Sequence, residues 1–270
     1  MCKENLAITN GKIILPDRVI QNGTILINGE LIQDIYEGNF QINSNDYHVM
    51  DANNHFISPG FIELHLHGYK GISIGNPSSS LNSPTGTIEG DIFSLSRDLL
   101  ETGITSLLLT ITGGMSLYDL KNVVRKISLI DTSQVPGANI IGINLEGPYF
   151  NPSSKGPYDR YSPSGAQPVQ YFRKPKNSEL EELWECSNGK IKMICLSPEI
   201  EGAISFISSM SELGIVASGA HSFANYDEVI DANLHGMTTV THMYNGMRRQ
   251  DHRDPGIIEA SLCCDDIRIQ

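Results

Sequence analysis

The sequence predicts an α/β fold, an incomplete (β/α) barrel preceded by a small all-β portion. After residue 58, apolar strand-like segments alternate with single amphipathic helices, which is the pattern of parallel β/α units. Before residue 58, short β-branched segments are separated by Asn-Gly turn signals. We therefore predict a small β-sandwich portion over residues 1–58 and a barrel over residues 59–270.

The N-terminal portion reads as four short strands, because β-branched residues favour extended backbone. They are predicted at 6–9, 12–15, 23–27 and 31–35. The turns between them are expected at Asn10-Gly11, Asn22-Gly23 and Asn28-Gly29. Ser58-Pro59-Gly60 then ends the all-β pattern.

The barrel portion contains six predicted strands and the start of a seventh near Ile267. The strands are predicted at 61–67, 106–112, 138–145, 190–197, 215–220 and 236–242. Helices are expected over 91–102, 203–213 and 226–235, each followed by glycine, and from a Ser116 cap onward. Two long loops, 75–90 and 151–177, follow strand ends, where long loops usually bind ligands or cover a site.

Composition argues against several classes of protein. The formal net charge of -12 argues against nucleic acid or an anionic membrane as the main partner. The N-terminus lacks the apolar core of a signal peptide, and no apolar run approaches the roughly 20 residues of a membrane helix. The cysteines are odd in number and lack CxxC spacing, which argues against a disulfide framework and favours the cytoplasm: Cys2, Cys186, Cys195, Cys263 and Cys264.

Imidazole or carboxylate groups stand at the ends of four predicted strands. His65 and His67 alternate on one strand, so both side chains point to one face. Glu146, His221 and His242 each follow an apolar strand. Singly, each is an ordinary polar strand end. Jointly, two imidazoles and a carboxylate form a ligand set for catalytic zinc with an open position for water, at the barrel face where such enzymes keep their chemistry.

Longer motifs surround these strand ends in a fixed order. They lie at 59–68, 144–149, 165–168, 196–199, 219–222, 241–247 and 252–256. In this order they resemble the amidohydrolase superfamily and, more closely, the N-acetylglucosamine-6-phosphate deacetylase family. The resemblance implies a TIM-like barrel of the amidohydrolase type. It also implies hydrolysis of an N-acetyl group from N-acetylglucosamine 6-phosphate, giving glucosamine 6-phosphate and acetate in amino-sugar catabolism.

The resemblance also implies roles for the strand-end residues. Glu146, His221 and His242 would hold the hydrolytic metal, and His65 and His67 would hold a second metal or stay vacant. The cofactor is expected to be a divalent metal ion, zinc or iron foremost, with one or two per chain. Bound water at such a metal has its pKa lowered toward neutrality, which would supply hydroxide to the acetamide carbonyl.

Substrate contacts are implied by the same resemblance. Asn245 and the backbone of Gly246 would hold the sugar or its phosphate, and the Arg253 guanidinium suits an anionic phosphate. Ala166 and Gln167 match a sugar-contacting segment more weakly. The expected partner is a small amino-sugar phosphate, with no nucleic acid and no membrane, and the family implies a homodimer at full length.

The chain departs from the family pattern in three respects. Glu63 stands where the family usually has Asp and is expected to shape the strand end without binding metal. Gly246 stands where Ala is common, a change expected to be small. The family's catalytic aspartate follows an eighth strand, which would lie beyond Gln270, so no catalytic residue is assigned within the chain. The chain is therefore expected to be a fragment that is unstable or inactive alone.

Two alternatives remain open from the sequence. The chain could be another amidohydrolase, acting on a different amino-sugar phosphate such as N-acetylgalactosamine 6-phosphate or on a cyclic amide. It could also be a noncatalytic remnant that binds metal or a partner chain. The sequence does not separate glucosamine from galactosamine stereochemistry.

Overall fold

Two units make up the part of the chain that the computed structural model describes, residues 5–38, 40–74, 84–153 and 168–270. They span Met1–Gly60 and Phe61–Gln270. Most of both predicted long loops, with the substrate-site candidates Ala166 and Gln167, lies outside the described residues. Within them, no helix has the length and apolar character that crossing a membrane requires.

The first unit contains one five-stranded mixed sheet among its described residues. Its strands are β1 (Leu6–Ile14), β2 (Val19–Asn28), β3 (Leu31–Glu37), β4 (His48–Asp51) and β5 (Phe56–Ile57). The order is β3-β2-β1-β4, and β5 also pairs with β1. The sheet buries a small cluster of Ile13, Ile20 and Ile25. The described residues of this unit form no second sheet, so the β-sandwich stays a prediction.

Two of the predicted turns in this unit are wrong. Asn10 lies inside β1 with φ 55°, and the β1–β2 register shifts on both sides of Gly11, so Asn10-Gly11 forms a bulge. Gly23 lies inside β2, where an added Cβ would come within 2.4 Å of the Ile13 side chain. The Ile13 side chain therefore leaves no room for a larger residue at position 23. The Asn28 turn does connect β2 to β3, whereas β4 and β5 were not predicted.

The second unit is built on a seven-stranded parallel sheet, which is consistent with an incomplete TIM-like barrel. In chain order the strands are β6 (Phe61–Leu66), a small hairpin β7 (Gly68–Tyr69) and β8 (Ile72–Ser73), then β9 (Ile104–Thr112), β10 (Asn139–Glu146), β11 (Ile191–Leu196), β12 (Val216–Gly219), β13 (Met237–Val240) and β14 (Arg268–Ile269). Apart from the hairpin, their order in the sheet, β14-β13-β12-β11-β10-β9-β6, follows the chain. The six predicted barrel strands and the start of the seventh are confirmed, with ends shifted by one or two residues.

Helices connect these strands and bury their apolar faces on the sheet. They are α1 (Ile88–Leu99), α2 (Leu117–Ser128), α3 (Asn177–Cys186), α4 (Ala203–Glu212), α5 (Tyr226–Leu234) and α6 (Ile257–Cys263). The Ser116 cap is confirmed, because its side chain accepts a hydrogen bond from the Asp119 amide. Helix α1 begins three residues before its predicted start, and a 3-10 turn carries it to Gly103 at φ 82°. Helices α3 and α6 were not predicted.

The parallel sheet determines where the functional groups meet. Because β6, β10, β12 and β13 run in one direction, the residues that follow them gather at one edge of the sheet. Glu146 is the last residue of β10, and His221 and His242 each lie two residues beyond their strands. These side chains therefore lie side by side although up to 96 residues separate them.

Candidate metal centre

Five side chains converge at this edge of the sheet around the Glu146 carboxylate. His221 Nε2 and His242 Nε2 lie 3.1 and 3.2 Å from Glu146 Oε1 and 3.2 Å from each other. On the other side, His67 Nε2 lies 3.1 Å from Glu146 Oε2 and from His65 Nε2. The carboxylate is thus shared by two candidate metal-binding groups, His65–His67–Glu146 and Glu146–His221–His242.

The donor set of Glu146, His221 and His242 fits a divalent cation. A tetrahedral ion with bonds of about 2.0–2.1 Å places its ligand atoms roughly 3.3 Å apart, close to the separations seen among these three residues. Two neutral imidazoles cannot both donate to Oε1 while their Nε2 atoms face each other at 3.2 Å without opposing their N–H groups. A cation resolves this conflict, because all three atoms then present lone pairs to it.

Burial and the shared carboxylate control the charges of the centre. Burial lowers the pKa of His65 to about 4, and the neighbouring histidines add to this against the attraction of Glu146, so its imidazole is neutral at pH 7. Burial also opposes charging of His67, but its hydrogen bond to Glu146 prevails and raises its pKa. Burial would raise the pKa of Glu146, yet hydrogen bonds from His221, His242 and His67 hold it well below its usual range. The centre therefore offers an ionised carboxylate at Glu146 and a neutral imidazole at His65, both of which can bind a divalent cation.

Both histidines of the Glu146–His221–His242 group have left-handed backbone. His221 has φ 46° and His242 has φ 39°, a region that non-glycine residues rarely adopt. Gly246 has φ 63°, and an added Cβ would lie 2.7 Å from His221 Nδ1. Strained backbone of this kind gathers at functional sites. The expectation that Gly246 is a small change from Ala is therefore wrong in this chain, because a methyl group there meets the imidazole of a candidate ligand.

We expect Gly246→Ala to weaken metal binding about 10-fold and to lower the free energy of unfolding by about 1–2 kcal/mol. The stability loss comes from left-handed alanine backbone, and the affinity loss comes from displacement of His221. Gly214→Ala is the matched control, since Gly214 has φ 70° but open space around its Cβ position. Isothermal titration calorimetry with Zn²⁺ should show weaker binding by Gly246→Ala and unchanged binding by Gly214→Ala. Equal affinities in the two variants would contradict this prediction.

Three other residues singled out in the sequence, Glu63, Asn245 and Arg253, do not belong to either candidate metal group. The Glu63 carboxylate accepts a hydrogen bond from the His65 amide at 2.8 Å and belongs to neither candidate metal group. Asn245 is exposed, and its backbone N–H donates to the His242 carbonyl at 2.9 Å. Arg253 is exposed in the loop before α6, where its amide donates to the Asp251 carboxylate.

Several supporting residues were not predicted from the sequence. Asn144 donates to the Leu64 carbonyl at 3.0 Å and ties β10 to β6 beside the histidine pair. Phe150 packs its ring 4.5 Å from that of His221. The carboxylate of Glu199 accepts hydrogen bonds from the loop that carries His221. The sequence did contain one signal for Glu199. This carboxylate follows shortly after an apolar strand, as the candidate metal ligands do.

Known proteins similar to this chain include several N-acetylglucosamine-6-phosphate deacetylases. The chain is 32% identical over 207 residues to N-acetylglucosamine-6-phosphate deacetylase of Vibrio furnissii, covering 76% of this chain and 47% of that one. It is 30% identical over 267 residues to the Bacillus subtilis deacetylase, covering 97% and 62%. The structure of the Mycobacterium smegmatis deacetylase in complex with N-acetyl-D-glucosamine-6-phosphate superposes with a TM-score of 0.77 at 25% identity, over 98% of this chain and 62% of that one.

No protein-family model matches the chain. The chain spans about half the length of the curated relatives it matches first, 47% and 48% of two of them. Over its own length, however, the sequence similarity and the superposition point to the same kind of protein. Over the residues that it spans, this chain is similar in sequence and fold to N-acetylglucosamine-6-phosphate deacetylases.

Proposed function

We propose that this chain carries the metal centre of an enzyme that hydrolyses N-acetylglucosamine 6-phosphate to glucosamine 6-phosphate and acetate. The observation that carries the proposal is the convergence of Glu146, His221 and His242 in a chain similar to deacetylases of that substrate. A divalent metal bound by these residues supplies Lewis acidity, which polarises an amide carbonyl and lowers the pKa of water. His65 and His67 complete a second position that shares Glu146.

The substrate is held in this proposal by the loop that follows His242 and by the loop before α6. Asn245 and the backbone of Gly246 contact the sugar or its phosphate, and Arg253 pairs with the phosphate. Among the described residues the exposed Arg253 guanidinium forms no ion pair, which leaves its donors available to an anion. Ala166 and Gln167 are weaker candidates for contacts with the sugar.

We expect Arg253→Ala to weaken binding of N-acetylglucosamine 6-phosphate by about 10- to 100-fold, the equivalent of one charge-assisted contact. Binding of unphosphorylated N-acetylglucosamine should not change, because the lost contact is to phosphate. Arg249→Ala, an exposed arginine of the same loop, is the matched control. Titration calorimetry of the metal-loaded chain with both sugars is the measurement. Unchanged affinity of Arg253→Ala for the phosphorylated sugar would exclude the phosphate contact.

The catalytic aspartate lies beyond Gln270 in this proposal, since the family places it after an eighth barrel strand. General acid–base groups contribute about 10²- to 10⁴-fold in rate, so the 270-residue chain should bind metal and substrate with little turnover. Acetate release from N-acetylglucosamine 6-phosphate tests this directly. An ordinary turnover of about 1–10³ s⁻¹ would contradict the proposal that catalysis needs an aspartate beyond Gln270, but it would support the deacetylase activity. Absence of both substrate binding and turnover would favour the noncatalytic alternative.

N-Acetylgalactosamine 6-phosphate is the second candidate substrate. The chain is 28% identical over 214 residues to N-acetylgalactosamine-6-phosphate deacetylase of Escherichia coli O157:H7, covering 79% of this chain and 52% of that one. The two sugars differ in stereochemistry at one carbon, so competition between them for the metal-loaded chain separates the candidates. Tighter binding of the galactosamine derivative would transfer the assignment to it.

The two-part organisation belongs to the same proposal. Residues 1–58 form the N-terminal part of a small β-sandwich, supported by the five-stranded sheet. Residues 59–270 form strands one to six and the start of strand seven of an amidohydrolase barrel, supported by the parallel sheet. Homodimerisation at full length is part of the proposal as a family property.

A further inference from the structure

The carboxylate of Glu199 joins the loops that follow three neighbouring barrel strands. Glu199 itself follows β11. Its Oε1 accepts hydrogen bonds from Asn151 Nδ2 at 3.0 Å, after β10, and from the Phe223 amide at 2.7 Å, after β12. Its Oε2 accepts from Ser222 Oγ at 2.8 Å. Two of these three donors belong to the two residues that directly follow His221.

Ser197 reinforces the same connection from the start of its loop. Its hydroxyl donates to the His221 carbonyl at 2.7 Å and accepts from the Asn151 amide at 2.7 Å. The Ser222 hydroxyl in turn accepts from the Ala224 amide at 2.9 Å. The Ser197 hydroxyl also lies within 3.3 Å of the Ala220 carbonyl, so groups on the β11 loop hold the backbone on both sides of His221. This matters because His221 has φ 46°, a conformation that surrounding contacts must maintain.

We propose that Glu199 is a positioning residue for the metal centre, one that holds His221 in its left-handed conformation and so aims Nε2 at Glu146. The inference rests on the proposed function, because it takes His221 as a metal ligand. Glu199 belongs to neither candidate metal group among the described residues, and both of its oxygens already accept protein hydrogen bonds. It acts through His221 and does not touch the metal.

The tight geometry around the His221 ring also supports a role of Glu199 in orienting this histidine, beyond merely connecting the loops. His221 Nε2 must meet Glu146 Oε1 and His242 Nε2 at 3.1 and 3.2 Å, while Phe150 confines its ring from one side. A turn of the His221 backbone toward an ordinary φ would carry Nε2 away from both atoms. Residues that orient metal ligands in this way typically change metal affinity by about 10- to 100-fold when they are replaced.

The test compares Glu199→Ala and Glu199→Gln with wild type in the 270-residue chain, using Co²⁺ and Zn²⁺ as probes. Glu201→Gln is the matched control, because Glu201 lies two residues away and pairs with Lys174 at the surface. Metal affinity is measured by competition with a chelator, and the Co²⁺ absorption spectrum reports coordination geometry. Circular dichroism and thermal unfolding of the metal-free proteins report the fold.

We expect Glu199→Ala to bind both metals about 10- to 100-fold more weakly, with an altered Co²⁺ spectrum. Glu199→Gln should recover part of the affinity, since its amide oxygen still accepts from Phe223, and it remains testable if the alanine variant does not fold. Glu201→Gln should match wild type. Folded variants at position 199 with wild-type affinity and spectrum would overturn the positioning role and leave the deacetylase proposal intact. A wild-type chain that binds neither metal would overturn the proposed function and this inference with it.

Discussion

A Glu146→Gln variant is expected to lose stoichiometric metal binding, with an affinity at least about 100-fold below that of the wild-type chain. Residues that merely orient ligands change metal affinity by about 10- to 100-fold. Within the described part of the chain, Glu146 is the one carboxylate that belongs to both candidate metal groups. The substitution keeps the size of the side chain and removes its charge. It removes the negative charge that attracts a dication, and it replaces one oxygen of the carboxylate that both candidate metal groups share by an amide nitrogen.

Metal-dependent stability is the most direct measurement of this effect. A ligand that binds only the folded state at 100 times its Kd stabilises that state by about 2.7 kcal/mol. Wild type should gain this amount from Zn²⁺, and Glu146→Gln should gain at most about 0.4 kcal/mol at the same concentration. Glu101→Gln, which removes a surface partner of Lys70, is the control and should behave as wild type. Equal stabilisation of Glu146→Gln and wild type by Zn²⁺ would show that the metal binds elsewhere.

Local sequence patterns carry much of the fold and leave out its long-range pairings. The barrel strands are apolar, and α1, α4 and α5 are closed by Gly103, Gly214 and Gly236, so their positions follow from residues close together in the chain. Strands β4 and β5 were missed because each is short and pairs in parallel with β1 from about 40 residues away. Asn10-Gly11 was misassigned because the turn signal is local, whereas pairing with β2 carries the strand through it.

The candidate metal centre could be predicted for a topological reason. Histidine and glutamate at the ends of parallel strands must meet at one edge of the sheet, whatever the loops between them contain. The residues that support the centre follow no such rule. Glu199 and Asn151 are 48 positions apart, and Glu179 and Tyr149 are 30 apart, so neither contact has a local signature. Gly246 gave no sign in the sequence that its Cβ position faces His221.

The contact between Tyr149 and Glu179 supports the segment that follows the central ligand. Tyr149, three residues after Glu146, is fully buried, and its hydroxyl donates to Glu179 Oε1 at 2.8 Å. Arg173 donates to the same oxygen through Nε at 2.8 Å and through Nη2 at 2.5 Å, and its amide donates to the Pro148 carbonyl. Burial, with the charge and hydrogen bond of Glu179, raises the pKa of Tyr149 well above its usual range, so the hydroxyl stays protonated and remains a donor.

We expect Glu179→Ala to lower the free energy of unfolding of the second unit by about 3 kcal/mol. Removing one partner of a buried ion pair costs about 3–5 kcal/mol, and the partial exposure of Arg173 places this case at the lower end. The buried Tyr149 hydroxyl would also lose its acceptor. Urea unfolding can be followed by the fluorescence of Trp184, the single tryptophan of the chain, which lies in the same helix α3 as Glu179.

Glu182→Ala in that helix provides the comparison that separates burial from helix propensity. Glu182 pairs with Lys121 at the surface, so its loss should cost at most about 1 kcal/mol. A Glu179→Ala variant as stable as Glu182→Ala would mean that solvent reaches Arg173 and Tyr149 and that the pair adds nothing. The expected difference of about 2 kcal/mol between the unfolding free energies of the two variants would instead show that Glu179 of α3 stabilises the loop that follows Glu146. Metal affinity should then fall together with stability, because displacement of Tyr149 carries Glu146 away from His221 and His242.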